Sequence, residues 1–144
     1  LQIEEPKVGL LNIGTEAEKG NLVAQAAHSI LSESSKVNFV GNMEGYDVFT
    51  GLADVLVCDG FVGNILLKTA ESLYKIFGSK LGEDPYIEKF DYQNYGATPI
   101  LGINKHVLIG HGVSTPKAFV SMIKQAVDIV ESGLVEKVKT TFEP

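Results

Sequence analysis

Apolar residues recur every three or four positions in three long segments of the chain, which is the spacing of a helix that buries one face. The pattern predicts helices over residues 20–32, 62–77 and 116–130, and a short final helix after Gly133. The positions expected to face the core are Val23, Ala26, Ala27, Ile30 and Leu31; Ile65, Leu66, Thr69, Ala70, Leu73, Ile76 and Phe77; and Phe119, Met122, Ile123, Ala126, Val127 and Val130.

Between these segments lie short, continuous apolar runs, which are typical of strands covered on both faces. The runs are residues 7–13, 37–40, 54–58 and 106–109. Strands alternating with helices predict an α/β fold with a mostly parallel sheet, here in a single domain over residues 1–144. Residues 84–94 are polar and contain Pro85, so they predict a loop.

Glycine and small polar residues follow each predicted strand directly. The four turns are residues 12–15, 41–45, 59–64 and 111–115. Ligands of open parallel sheets bind beyond the carboxyl ends of the strands, so we expect all four turns at one edge of the sheet. The sequence therefore predicts a ligand site built from these turns.

Charge and composition limit the ligands that such a site would hold. The net charge of −6 argues against nucleic-acid binding. All 12 basic residues are lysines, so the chain has no guanidinium with which to clamp an anion. An anion must be held by backbone N–H groups, lysines, hydroxyls or amides, or by an arginine from outside. One cysteine and no visible signal peptide predict a cytoplasmic protein.

The turn that starts at Asp59 has two interpretations. A helix that begins at a glycine points N–H groups at an anion, and here Gly60 and Gly63 would supply them. Asn64 and Lys68, one turn apart, would add an amide and a positive charge. Alternatively, the turn is a tight strand–helix connection closed by a helix cap.

The turn that starts at His111 is equally open. In one interpretation His111 carries a proton, Ser114 binds an anion, and Gly112 admits the ligand to the backbone. In the other, the histidine fills a polar niche while Thr115 caps a helix with Pro116 at its first position. The turn lacks a G-x-S-x-G elbow, so Ser114 is not expected to be a covalent nucleophile.

Metal and nucleotide sites are not expected. Glu44 and Asp47 offer a carboxylate pair for a metal or for proton transfer, but a solvated loop explains them better. The chain has no cysteine cluster and no H-x₃-H spacing, and Cys58 lies in a strand where an inert core thiol is expected. The G-x-G-x-x-G and P-loop motifs are both absent. We therefore expect no metal and no cofactor.

Five strings carry a resemblance to a known family: PKVGLLNIGTEAEKGN, NFVGNMEGYDVF, ADVLVCDGFVGNILLKTAE, NYGATPILGIN and GHGVSTPKA. In this order they closely resemble the C-terminal half of the bacterial fatty acid and phospholipid synthesis acyltransferases, the PlsX family. The resemblance implies transfer of a fatty acyl group from acyl carrier protein to inorganic phosphate, giving an acyl phosphate. It also implies a homodimer and a three-layer α/β/α sandwich related to phosphate acetyltransferases and isopropylmalate dehydrogenase-like folds.

The turns and the resemblance together give a set of candidate site residues. Expected catalytic residues are Asn64, His111, Lys68 and Asp59. Residues expected to bind phosphate or substrate are Asn12, Gly14, Thr15, Asn42, Gly60, Gly63, Gly112 and Ser114. Three other functions stay open: a phosphate acetyltransferase-like enzyme that uses coenzyme A, a dehydrogenase-like nucleotide lobe, and a non-catalytic lobe that binds phosphate or acyl groups.

The chain also departs from the family pattern. The family chain is about twice as long, so we expect this chain to be one half of a longer protein. Tyr46 stands where the family often carries arginine. Residues 73–91 are short and acidic, whereas many members have amphipathic helices there, so membrane-surface attachment is not expected through this stretch. Acyl carrier protein is acidic, and the lysine pairs near residues 75–80 and 137–139 are either part of its docking site or exposed helix surface.

Overall fold

The computed structural model describes residues 3–81 and 84–142. These residues form two compact units, one ending at Leu66 and the other starting at Leu67. The elements in chain order are β1 Lys7–Leu11, α1 Leu22–Glu33, β2 Asn38–Met43, β3 Val55–Val57, α2 Gly60–Leu81, two 3₁₀ helices Ile87–Phe90 and Tyr92–Asn94, β4 Ala97–Pro99, β5 Leu108–Gly110, α3 Pro116–Glu131 and α4 Leu134–Phe142. The four predicted helices are all confirmed, with ends shifted by a few residues.

The first unit is built on a parallel sheet of three strands in the order β2-β1-β3. In the central strand, Leu10 pairs with Asn42 on one side and with Val57 on the other. This strand is the most buried of the three, and Leu10 is only 3% exposed. The predicted α/β class and mostly parallel sheet are confirmed here. The turns after β1, β2 and β3 therefore lie at the same sheet edge.

Helix α1 shows the predicted length but not the predicted orientation. Asn21 caps it, since the Asn21 Oδ1 accepts a hydrogen bond from the backbone N–H of Ala24 at 2.9 Å. Val23 and Ile30, expected in the core, are 73% and 70% exposed. The ring of His28 instead packs edge-on against Phe39 of β2, with centroids 5.3 Å apart. The half-buried positions of α1 are Ala24, Gln25, Ala27, His28 and Leu31.

The second unit contains an antiparallel pair, β4 with β5, in which Thr98 lies opposite Ile109. The prediction that the fourth strand joins the parallel sheet is therefore wrong. Its partner β4 was not predicted, because it is three residues long and ends in Pro99, which lacks a backbone donor. The turn after β5 accordingly follows a strand of this hairpin rather than of the three-stranded sheet.

Helix α3 begins with the cap that the sequence offered as the alternative to an anion site. The Thr115 hydroxyl accepts a hydrogen bond from the N–H of Ala118, and Pro116 is the first helical residue. Ala118 is fully buried. Half-buried side chains continue the inward face at Ser121, Met122, Gln125, Ala126 and Ile129. Of the stripe predicted for this helix, the exposed members are Phe119, Ile123, Val127 and Val130.

Helix α2 runs from the first unit into the second, and its apolar stripe is also shifted. Its half-buried positions include Gly63, Leu66, Ala70, Glu71 and Tyr74. The members of the predicted stripe that are exposed are Ile65, Thr69, Leu73, Ile76 and Phe77. The stripes of α1, α2 and α3 are each wider than the face that they bury, so a period of 3.6 residues did not determine which side packs.

Gly96 lets the chain press against the backbone of α3. Its φ of +76° is in the left-handed region that favours glycine. A Cβ at this position would lie 2.6 Å from the carbonyl oxygen of Ala118 and would also collide with the backbone nitrogen of Met122. These contacts place the start of β4 directly on the helix.

Asp91 ties the 3₁₀ helices to the start of α3. The residue is only 3% exposed. Its carboxylate accepts hydrogen bonds from Lys117 Nζ at 3.1 Å and from the N–H of Gln93 at 3.0 Å. Burial acts to raise the pKa of Asp91, but the hydrogen bonds from Gln93 and Lys117 outweigh it and hold that pKa below its usual value. The predicted loop 84–94 is therefore largely ordered into two 3₁₀ helices.

Candidate functional site

Asn12 fastens the turn that follows β1. Its Nδ2 donates to the carbonyl of Lys19 at 3.0 Å, and its Oδ1 accepts from the N–H of Ile13 at 2.8 Å. Gly14 is buried inside this turn, whereas Thr15 is exposed. A Cβ at Gly14 would lie 2.9 Å from both Glu16 Oε2 and Lys19 Cγ. In this geometry both polar atoms of the Asn12 amide bind the protein itself.

Asn42 holds the same turn from the neighbouring strand. The residue is 7% exposed, and its Nδ2 donates to the carbonyl of Glu16 at 2.7 Å. Its buried Oδ1 has no hydrogen-bond partner within the part of the chain that the structure describes. Asn12 and Asn42 thus clasp residues 13–19 over the ends of β1 and β2. The sequence expected these amides to face a ligand, and here their NH₂ groups face loop carbonyls.

The start of α2 is occupied by the side chain of Asp59. Asp59 Oδ1 accepts hydrogen bonds from the N–H groups of Phe61 and Val62, each at 2.9 Å, and Gly63 donates to the Asp59 carbonyl at 2.9 Å. In this structure Asp59 therefore takes three of the N–H groups that the sequence predicts will face a ligand. The helix-cap interpretation describes the geometry. Asn64 follows as an exposed side chain.

Cys58 lies just past the end of β3, half-buried against the glycine of the next turn. A Cβ at Gly63 would lie 3.0 Å from Cys58 Sγ, so a larger residue would crowd the thiol. Burial raises the pKa of Cys58, and the neighbouring Asp59 carboxylate raises it further. The thiol therefore stays protonated near neutral pH, which agrees with an inert role.

Lys68 and His111 meet in the second unit. Lys68 Nζ lies 3.1 Å from His111 Nε2. Glu71 Oε2 lies 3.5 Å from Lys68 Nζ and 3.6 Å from His111 Nε2. We refer to Lys68, Glu71, His111 and Tyr92 as the Lys68–His111 cluster. Residues from α2, from the second 3₁₀ helix and from the end of β5 therefore converge at one place.

The imidazole of His111 is held from several sides. The ring of Tyr92 lies 4.7 Å from it at an interplanar angle of 34°, and the Tyr92 hydroxyl donates to the carbonyl of Val113 at 3.1 Å. The N–H of Val113 points at His111 Nδ1 at 3.4 Å. Ser114 donates from its hydroxyl to the His111 carbonyl at 2.5 Å, which closes the turn. The exposed Gly112 leaves open space where a Cβ would stand.

The groups that face the His111 ring limit what the cluster can do. Lys68 Nζ, which only donates, lies 3.1 Å from Nε2, and the backbone N–H of Val113 faces Nδ1. The side chains of Lys68, Glu71 and His111 are 53%, 20% and 28% exposed. Lys68 is thus open to solvent, while Glu71 is the most enclosed. The cluster offers a cation and a basic nitrogen beside one carboxylate, which suits it to hold an oxyanion and accept a proton.

Sequence reasoning selected Lys68 and His111 but missed Glu71 and Tyr92. The three-residue spacing of Lys68 and Glu71 was the only local signal, since such pairs adjoin on a helix surface. Tyr92 lay in a segment predicted to be a loop, and no periodicity relates it to His111. Tertiary packing brings it there.

The carboxylates of Glu44 and Asp47 form hydrogen bonds within their own turn. Asp47 Oδ2 accepts a hydrogen bond from the N–H of Glu44 at 3.0 Å, and Tyr46 donates its hydroxyl proton to the Glu44 carboxylate. Within residues 3–81 and 84–142, no three His, Cys, Asp or Glu side chains are grouped to hold a metal ion. No helix in these ranges has both the length and the apolar character that a bilayer crossing needs.

The fold and these turns define an α/β protein in which a lysine, a carboxylate and a histidine meet. Comparison with known families gives a more specific assignment: residues 1–86 match the profile of the fatty acid synthesis protein family. The chain belongs to this family.

Many curated proteins named phosphate acyltransferase are similar to this chain. One from Desulforamulus reducens is 42% identical over 161 residues, which cover 99% of this chain and 48% of the relative. Another, from Clostridium acetobutylicum, is 40% identical over 162 residues, covering 99% of this chain and 49% of the relative. The chain thus spans about half the length of these relatives. Both alignments exceed the 144 residues of the chain, so the relatives contain residues that have no counterpart here.

Proposed function

We propose that this chain is the C-terminal half of a phosphate acyltransferase, which moves a fatty acyl group from acyl carrier protein to inorganic phosphate. The observation that carries the proposal is the 3.1 Å contact between Lys68 and His111, which are 43 residues apart. Both were candidate site residues in the sequence, and a cation beside a proton acceptor is what phosphate attack requires. Membership of the fatty acid synthesis protein family and the names of the relatives support the same chemistry.

The proposed reaction balances without a cofactor. An oxygen of HPO₄²⁻ attacks the thioester carbonyl, a C–O bond forms, and the C–S bond breaks. The proton that phosphate loses ends on the departing carrier-protein sulfur, so the products are an acyl phosphate dianion and a thiol. Lys68 would orient the phosphate, and His111 would relay the proton.

Candidate residues of the first unit are also proposed as substrate contacts. One of them is Asn64 on α2, four residues before Lys68 in the sequence. The remaining proposed contacts are Asp59, Asn12, Gly14, Thr15, Asn42, Gly60 and Gly63, with Gly112 and Ser114 in the second unit. Asn12, Asn42 and Asp59 would have to exchange their present hydrogen bonds for a ligand. Since the chain has no arginine, the other half of the protein would supply further positive charge.

The remaining expectations also stand as proposals. The complete protein would form a three-layer α/β/α sandwich and act as a cytoplasmic homodimer. Acyl carrier protein would dock mainly on the half that this chain does not span, because this chain has a net charge of −6 and acyl carrier protein is also acidic.

A fusion protein tests the proposed function. The half of the Clostridium acetobutylicum phosphate acyltransferase that this chain does not cover would be joined to this chain and purified. Acyl phosphate would be trapped as the hydroxamate after incubation with long-chain acyl carrier protein and phosphate, with the intact relative as positive control. We expect product from the fusion and none from the 144-residue chain alone.

Two results would contradict the proposal. A cooperatively folded fusion that makes no acyl phosphate from any long-chain acyl carrier protein would show that the chain has another function. Efficient turnover of acetyl coenzyme A instead of acyl carrier protein would point to a phosphate acetyltransferase-like enzyme.

A further inference from the structure

Glu71 is an unexpected member of a cluster that should attract anions. Its Oε2 lies 3.5 Å from Lys68 Nζ and 3.6 Å from His111 Nε2, so any oxyanion that contacts both nitrogens also lies beside this carboxylate. The Glu71 side chain is 20% exposed and the most enclosed of the three, which limits screening of its charge by water. By Coulomb's law alone, Glu71 weakens anion binding.

The protonation of the anion changes the sign of this interaction. A carboxylate only accepts hydrogen bonds, so it repels an oxyanion that has no proton. Sulfate has none near neutral pH, whereas phosphate keeps at least one P–O–H group. A hydrogen bond from that hydroxyl to a carboxylate is charge-assisted and among the stronger kinds. Lys68 does not make this distinction, because an ammonium group only donates and does so to either tetrahedral anion.

We propose that Glu71 determines specificity at the Lys68–His111 cluster, by accepting a hydrogen bond from phosphate and rejecting unprotonated oxyanions such as sulfate. The inference rests on the proposed function, since it takes the cluster as the phosphate site. Specificity then arises because phosphate can donate a hydrogen bond to the Glu71 carboxylate and sulfate cannot.

The alternative is that Glu71 is merely half of a surface ion pair. Pairs of Lys and Glu three residues apart are common and contribute little. This chain contains such a pair away from histidine, in which Lys139 Nζ lies 3.2 Å from Glu136 Oε1. Glu136→Gln therefore makes the same change of charge in the same kind of pair and serves as the matched control.

The test measures binding of inorganic phosphate and of sulfate at constant ionic strength. Isothermal titration calorimetry and the ¹H–¹⁵N spectrum of His111 would be recorded for the 144-residue chain and for the fusion. We expect phosphate to bind at least about tenfold more tightly than sulfate, and Glu71→Gln to reduce this ratio at least about tenfold, or about 1.4 kcal/mol. Glu71→Asp keeps the acceptor and should retain much of the preference, and Glu136→Gln should leave the ratio unchanged.

The outcomes separate the two proposals. Equal affinity for both anions, or an unchanged ratio in a folded Glu71→Gln variant, would overturn the role of Glu71 while leaving acyl phosphate formation intact. Loss of the preference in Glu136→Gln as well would assign it to net charge and would also overturn this role. If neither anion binds either protein and the fusion makes no acyl phosphate, the cluster is not a phosphate site and both proposals are wrong.

Discussion

Lys68 Nζ lies 3.1 Å from His111 Nε2, although Lys68 is on a long helix and His111 is in a turn 43 positions later. The Tyr92 ring packs on the imidazole at 4.7 Å, and the Ser114 hydroxyl closes the turn that carries it. The imidazole is thus partly enclosed, whereas the ammonium group beside it is open to solvent.

Removing either partner of this contact should impair catalysis by the fusion. We expect Lys68→Met and His111→Ala each to lower kcat/KM at least about tenfold, equivalent to about 1.4 kcal/mol of transition-state stabilisation. Asn64→Ala, one turn earlier on α2, should do the same. Steady-state kinetics at varied phosphate would measure this. Lys75→Met removes the same charge from an exposed position of the same helix and should have little effect. Unchanged kinetics for Lys68→Met and His111→Ala would place the site elsewhere.

Gly96 should be far less tolerant of alanine than Gly102. Both have a left-handed backbone, with φ of +76° and +77°, so alanine is strained at either position. At Gly96 the new methyl group also meets the backbone of α3, whereas Gly102 has nothing within 4 Å. We expect Gly96→Ala to lower the free energy of unfolding by at least about 2 kcal/mol and Gly102→Ala by about 1 kcal/mol. Urea titration of both variants gives the comparison, and equal losses would show that the close approach to α3 does not form.

Asp91 should make the stability of the chain depend on acid. Its pKa in the folded state is held below the ordinary value of 3.8. Its charged carboxylate therefore makes its full contribution to the free energy of unfolding at pH values above 3.8. The contribution is lost as the pH falls from 3.8 through the lower, folded pKa. Asp91→Asn should therefore lower the urea midpoint most at pH 5–7, and the gap to the parent chain should narrow as the pH falls below 3.8. A gap of constant size down to pH 2 would mean that the carboxylate charge is not what stabilises the fold.

Two substitutions at Asp59 separate capping from catalysis. Because Asp59 Oδ1 accepts the N–H groups of Phe61 and Val62, alanine should cost about 1 kcal/mol of stability, whereas asparagine should cap nearly as well. Thermal or urea unfolding measures both. If Asp59→Asn is stable but its fusion loses activity, the charge has a role in the reaction; if it is as unstable as Asp59→Ala, the cap assignment is wrong.

Local chemistry predicted the elements of the fold well but their orientation poorly. Thr115 and Pro116 predicted the start of α3 because a cap and a proline act over a few residues. Val23 and Ile30 were expected inward but are exposed. Apolar residues cover most of α1, so the pattern did not distinguish the face on which His28 packs against Phe39. Strand β4 was not predicted because three residues that end in a proline are too few to show an alternating pattern.

The candidate site divides in the same way. His111 was selectable from sequence because it follows a predicted strand in a glycine-rich turn, and Lys68 because it lies one helical turn after Asn64. Glu71 and Tyr92 acquire their significance only through distance to His111, which no pattern along the chain encodes. Asn12 after β1 and Asn42 near the end of β2 were also expected from their positions. Their hydrogen bonds to the carbonyls of Lys19 and Glu16 depend on how the loop between β1 and α1 folds back.

The carboxylate of Asp59 at the start of α2 has a consequence for how any anion could reach that helix. Because it is covalently tethered to the N–H groups that it binds, it competes at an effective concentration far above that of a dissolved ligand. Occupancy of this helix end by phosphate would therefore be governed by rotation of one side chain rather than by ligand concentration alone. A rotamer change at Asp59, visible in its side-chain couplings, would report the exchange.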